Sequence, residues 1–129
     1  MIYLCNAFSV NMLPGMWVGE GYDVRIERIS AKETGRILRD EEWVSVFGHE
    51  YSAYHLSRYL QIRVPVSRDS FKLTPDDILL AAVVESRRLW EQGRRGCPEF
   101  KFYRVYIVES RKPAEWPIVE EPEGLNSKL

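Results

Sequence analysis

The chain has 129 residues, 45% of them hydrophobic and 29% charged, which fits one folded domain with a real core and is too short for two ordinary ones. A formal net charge of −1 gives no electrostatic footprint for long DNA or RNA, so an anionic ligand has to be small and held by local geometry. Cys5 and Cys97 lie far apart with no CxxC or Cys/His ligand spacing, and no leader-like or eighteen-residue apolar stretch occurs, so the expectation is a cytoplasmic protein with reduced thiols, no metal, no cofactor and no membrane partner.

Ile2-Tyr-Leu-Cys5 reads as a buried strand, followed at once by the small hydrogen-bonding residues Asn6, Ser9 and Asn11. Amides and hydroxyls at a strand's C-terminal end can hold a polar ligand, but the same residues are common in plain turns. Pro14-Gly15 and Gly19-Glu-Gly21 mark a loop, and Tyr22 to Ile29 alternates like a half-buried strand with Val24, Ile26 and Tyr22 inward. Ser30 is placed to cap a helix over 31–39, with Glu33 completing a capping box. Trp43 to Phe47 reads as a strand ended by Gly48.

From Glu50 to Leu60 the residues Tyr51, Tyr54, His55, Leu56, Tyr59 and Leu60 recur at helical spacing, which predicts an amphipathic helix. Ser67 to Leu73 suggests a short edge strand, its pattern broken by Arg68 and Asp69. Thr74 with Pro75 and Asp77 looks like a helix start, yet Ile78 to Val84 is an unbroken apolar run that suits a central strand equally well, and periodicity does not arbitrate. Phe100 to Val108 alternates and is rich in aromatic and β-branched residues, as a strand is. The expected organisation is one domain over 1–109 and an acidic, proline-containing tail over 110–129.

His49 is the sharpest candidate for chemistry. It follows Gly48 at a strand end and precedes a helix, where amide groups and the helix dipole favour an anion, and histidine exchanges protons near neutral pH. An ordinary capping or surface role accounts for it equally well. His55 reads as a core or surface side chain. Arg87-Arg88 with Glu91 form a second cluster: Arg offers a permanently charged fork for phosphate, while the plain alternative is a solvated i, i+3 ion pair.

Taken together, Leu4-Cys-Asn-Ala-Phe-Ser-Val-Asn-Met-Leu13, Gly48-His49 and Ser86-Arg-Arg-Leu-Trp-Glu-Gln-Gly93 resemble one known family, the small viral anti-CRISPR ring nucleases of type III systems and their bacterial relatives. The resemblance runs from about Ile2 to Val108. It implies an α/β fold, with a mixed β-sheet of about five strands flanked by helices in a single domain and two subunits forming a two-fold homodimer. It also implies metal-independent cleavage of cyclic tetra-adenylate to linear di-adenylate with a 2′,3′-cyclic phosphate, which switches off type III CRISPR signalling. His49 matches the family's general acid, Arg88 the phosphate-stabilising Arg and Glu91 its acidic partner. Asn6, Ser9 and Asn11 match the first-strand residues that position the ring; Gly48, Glu50 and Tyr51 are further substrate-binding candidates, although Glu50-Tyr51-Ser52 departs from the family's short acidic or Ser/Thr stretch after Gly-His. The resemblance further implies a strand over 78–85. Tyr51 is a departure from the family pattern, a bulky ring that either stacks on an adenine or narrows the opening. Two other readings compete: a non-catalytic protein that binds or sequesters a cyclic oligonucleotide, and a structural protein whose exposed aromatics form a contact surface.

Overall fold

A computed structural model describes residues 1–15, 18–85 and 99–111. Its frame is a five-stranded mixed sheet in the order β2-β5-β4-β1-β3 with two helices. The strands are β1 (Ile2–Cys5), β2 (Gly21–Ile29), β3 (Trp43–Ser45), β4 (Ile78–Glu85) and β5 (Glu99–Arg111); the helices are α1 (Ala31–Asp40) and α2 (Glu50–Leu60). β1 pairs in parallel with β3 on one side and β4 on the other, whereas β5 runs antiparallel to both β4 and β2. Four strands therefore point the same way, and β1, β3 and β4 deliver their C-terminal ends to one edge of the sheet.

The ambiguous apolar run is a strand for a physical reason. β4 lies between β1 and β5, with Leu79, Leu80, Ala81 and Ala82 all nearly without solvent contact, so neither face needs polar residues. The helix-start signal ahead of it is confined to one turn. Thr74 donates both its amide and its hydroxyl to Asp77 Oδ2 at 2.8 Å, and the Asp77 amide returns to the Thr74 carbonyl at 3.0 Å. Burial works against the charge on Asp77, but the Thr74 hydrogen bonds outweigh it and hold the carboxyl below the usual Asp range.

Two apolar layers flank the sheet. On one face Leu4, Leu80, Ala82, Phe100 and Phe102 pack against Ile37 and Leu38 of α1 and Ala53, Leu56 and Leu60 of α2. On the other, Cys5, Leu79, Ala81, Val105 and Ile107 are covered by Phe8, Met12, Leu13, Phe71 and Leu73, which lie outside strands and α-helices. Burial raises the Cys5 thiol to about 12 and its Sγ–H donates to the Ala7 carbonyl, so this cysteine is an inert core group.

Several sequence expectations are corrected. The Ser30 hydroxyl does cap α1 by accepting from the Glu33 amide, but the Glu33 carboxylate pairs with Arg36 instead of closing a capping box. β3 is shorter than expected, ending at Ser45; beyond it the Val46 amide still reaches the Leu4 carbonyl. β5 is longer and runs to Arg111 because β2 pairs with it from Phe102 to Arg111, beyond the stretch that β4 pairs.

Ser67 to Leu73 is not a strand. It is a strap whose hydrogen bonds go to separate loops: Ser67 to the Phe47 carbonyl, Leu73 to the Met12 carbonyl. Ile26 is 56% exposed rather than inward, since no described element covers that end of β2. The inward face of α2 is Ser52, Ala53, Leu56 and Leu60, while Tyr51, Tyr54 and Tyr59 point outward.

On the helix side of β2 and β5, Glu27 accepts from the Tyr106 hydroxyl at 2.6 Å and from Arg104 at 2.9 Å. The Tyr106 hydrogen bond first, and Arg104 second, hold the Glu27 carboxyl below its usual range. A carboxyl lowered on folding stabilises the fold fully above the ordinary Glu range and loses that contribution as pH falls through its folded value. A Glu27→Gln protein is therefore expected to melt lower than the parent at neutral pH, with the gap closing in acid. Thermal melts across pH check this; a gap that is constant with pH would refute it.

Candidate functional site

The candidate site lies at the sheet edge where β1 and β3 end. Asn6 is the first residue after β1, and its side-chain oxygen accepts from the Gly48 amide at 3.4 Å. This contact ties the loop after β1 to the loop after β3 across a sequence separation of 42 residues. Crevices outside the carboxyl ends of parallel strands are where open α/β sheets bind ligands.

His49 is the N-cap of α2. Its Nδ1 accepts from the Ser52 amide at 3.1 Å and lies 2.7 Å from the Ser52 hydroxyl. Nδ1 as acceptor leaves Nε2 as the ring nitrogen that carries the proton. The Ser52 hydroxyl is able to donate to Nδ1 or, when Nδ1 is protonated, to accept from it, in which state the Ser52 amide loses its acceptor there. Ser52 is buried, and its amide and hydroxyl both hold the imidazole at Nδ1. Sequence reading did not single it out, although its spacing, three residues after a helix cap, was the available signal.

Gly48 serves differently from the expectation of amides open to an anion. Its N–H is taken by Asn6, and its carbonyl accepts from Arg68 Nε at 3.2 Å. A Cβ here would meet Arg68 and Ser67 at ordinary contact distance, so close packing alone does not demand glycine. Glu50, exposed in the first turn of α2, adds a carboxylate near the helix N-terminus, and Tyr51 follows it on the outward face.

Ser9 and Asn11 form their own small unit after β1. The Ser9 hydroxyl caps a single 3₁₀ turn, Val10–Met12, by accepting from the Asn11 amide at 3.3 Å. The strap holds this turn in place, with Lys72 Nζ 2.6 Å from the Asn11 carbonyl. The strap thus brings two cations to the rim: Arg68 on Gly48 and Lys72 on Asn11. Neither stood out in the sequence; the break in strand pattern at Arg68 was the trace of this role.

The structure brings Asn6, Gly48 and His49 into one contact chain, with Ser9, Asn11, Glu50 and Tyr51 on the adjoining turns. Arg88 and Glu91 lie outside the described residues. Among the described residues no set of three His, Cys, Asp or Glu side chains could hold a metal ion, and no helix is long and apolar enough to cross a membrane.

With this geometry in view, comparison with known proteins decides the family. The STIV B116-like family model matches residues 2–95. The chain belongs to the STIV B116-like family. Its relatives include proteins of archaeal viruses. It is 30% identical over 103 residues to protein ORF117 of Acidianus two-tailed virus, covering 78% of this chain and 84% of that protein. It is 26% identical over 94 residues to protein 26 of Sulfolobus islandicus filamentous virus, isolate Iceland/Hveragerdi, covering 73% and 75%. Among solved structures, B116 of Sulfolobus turreted icosahedral virus superposes with a TM-score of 0.60 at 19% identity, covering 81% of this chain and 97% of B116. That match shows a common α/β fold. In this STIV B116-like chain, the site occupies the edge where the parallel strands of the shared sheet end.

Proposed function

We propose that this chain is a metal-independent ring nuclease that cleaves cyclic tetra-adenylate and so ends type III CRISPR signalling in the cytoplasm of a prokaryotic host. The observation that carries the reading is His49: an imidazole capping α2, held at Nδ1 by Ser52, next to the Asn6–Gly48 clamp. The sequence resemblance around Asn6, Ser9, Asn11, His49, Arg88 and Glu91 supplies the substrate.

The reaction needs little covalent help from the protein. A ribose 2′-oxygen attacks the adjacent phosphorus, the bond from phosphorus to the 5′-oxygen breaks, and a 2′,3′-cyclic phosphate remains. The 2′-hydroxyl gives up its proton to solvent as its oxygen attacks, and His49, acting as the imidazolium with Nδ1–H held by the Ser52 hydroxyl, passes its Nε2 proton to the departing 5′-oxygen and is left neutral. Because the nucleophile is part of the substrate, the site's tasks are in-line positioning, proton donation and charge balance. Asn6, Ser9 and Asn11 are suited to the first, Arg88 with Arg68 and Lys72 to the last, and Glu91 to orienting a partner group.

A two-fold homodimer would offer one His49 to each of two opposed linkages in a symmetric ring. The helix-free sheet face suits such pairing, since Ile26 is exposed there and Tyr22, Val24 and Tyr103 are only half-buried.

The test is incubation of purified protein with a panel of cyclic oligoadenylates, with and without EDTA. Chelator-resistant conversion of cyclic tetra-adenylate to di-adenylate carrying a 2′,3′-cyclic phosphate is the expected result. Stoichiometric depletion without product favours a sequestering protein. Absence of binding at micromolar ligand overturns the reading.

A further inference from the structure

We infer that Tyr51 is a base-stacking wall that grips the nucleobase next to the phosphate addressed by His49, an assignment that rests on the ring-nuclease reading. Helix α2 buries Ser52, Ala53, Leu56 and Leu60, and turns its tyrosines toward water, with Tyr51 60% exposed and Tyr54 54% exposed. A ring so placed contributes little to the core. It is nevertheless fixed in orientation: Tyr51 meets the His55 ring edge-on, with centroids 5.0 Å apart and planes at 71°, and Tyr54 meets the same imidazole at 5.3 Å and 78°. One imidazole therefore steadies both tyrosines, which lowers the entropy lost when a flat ligand settles against them.

Position adds the second argument. Tyr51 stands two residues after His49, in the first turn of α2. Glu50, Tyr51 and Tyr54 line an open concavity of about 390 Å³, roomy enough for a nucleobase. Every base has a π-face, and a purine offers more of it, so stacking here confers grip together with a preference for purine rings. The alternative, a bulky side chain that only narrows the opening, predicts the opposite sign, because its removal would admit ligand more easily.

Binding is read without turnover in a His49→Asn background by titrating cyclic tetra-adenylate calorimetrically. Adding Tyr51→Ala is expected to weaken binding about 10- to 100-fold, while Tyr51→Phe retains it. In the otherwise native chain, Tyr51→Ala should raise KM and leave kcat nearly unchanged, with an unaltered melting temperature. The preference for cyclic tetra-adenylate over cyclic tetra-uridylate should shrink in the same variant. Unchanged or tighter binding by Tyr51→Ala overturns the stacking role and leaves the ring-nuclease reading standing. Failure of the parent protein to bind any cyclic oligoadenylate overturns both.

Discussion

Replacing His49 with Ala is expected to slow cleavage of cyclic tetra-adenylate by about 10²–10⁴-fold, the usual share of a well-placed general acid. The substitution has a second consequence, because His49 also caps α2 through Nδ1. Losing a capping side chain costs about 1 kcal/mol of stability, so His49→Ala alone mixes a chemical with a structural effect.

His49→Asn separates them, since an Asn side chain caps a helix well and donates no comparable proton. The two variants should lose activity to a similar extent, and only the Ala variant should melt lower. Ser52→Ala should leave an intermediate activity with an altered pH profile, because the imidazole keeps its proton but loses its orienting hydroxyl. Single-turnover rates across pH, beside thermal melts, check all three. Near-native turnover by His49→Asn would remove His49 from the mechanism.

The largest stability effect is expected at Phe47. Its side chain has no solvent contact and lies in the core under α2, its amide donates to the Ser45 hydroxyl, and its carbonyl accepts from Ser67 at 3.0 Å. Truncation to Ala leaves a cavity in the core cluster that Phe47 shares with Leu4, Leu56 and Leu80, and should cost about 3–5 kcal/mol. Against a typical total of roughly 5–15 kcal/mol, that is a large fraction of the stability of the fold. The melting temperature should fall by roughly 10–20 °C for a domain of this size. Urea denaturation gives the free energy directly, and a loss below about 1 kcal/mol would mean that the pocket collapses around the missing ring. Phe47 immediately precedes Gly48, so the same variant should also loosen the Asn6–Gly48 clamp and weaken ligand binding at temperatures where the protein remains folded.

How far the sequence reached is clearest at individual residues. Ser30 and its helix were legible because a cap and a 3.6-residue pattern act locally. His49 was visible as a strand-to-helix junction, and its capping role followed from that position. Ser52 was hidden, since a serine inside a helix has many uses and only the fold turns it toward the imidazole. Arg68 and Lys72 were hidden for a different reason: they act through a strap without regular structure, which leaves no periodicity to read. The tyrosines of α2 misled, because aromatic rings at helical spacing normally mark the buried face, whereas small residues bury more closely here.

By itself, the sequence determined what local chemistry dictates: β1, β2, α1, β3, α2 and β5 in their order, and the polar turn after β1. The tertiary structure decided what depends on distant neighbours. It made Ile78 to Glu85 a strand because β1 and β5 enclose it on both sides, and it joined Asn6 to Gly48 because β1 and β3 are adjacent and parallel. Local pattern selects an element, but only packing selects its partners, and the site is made of partners.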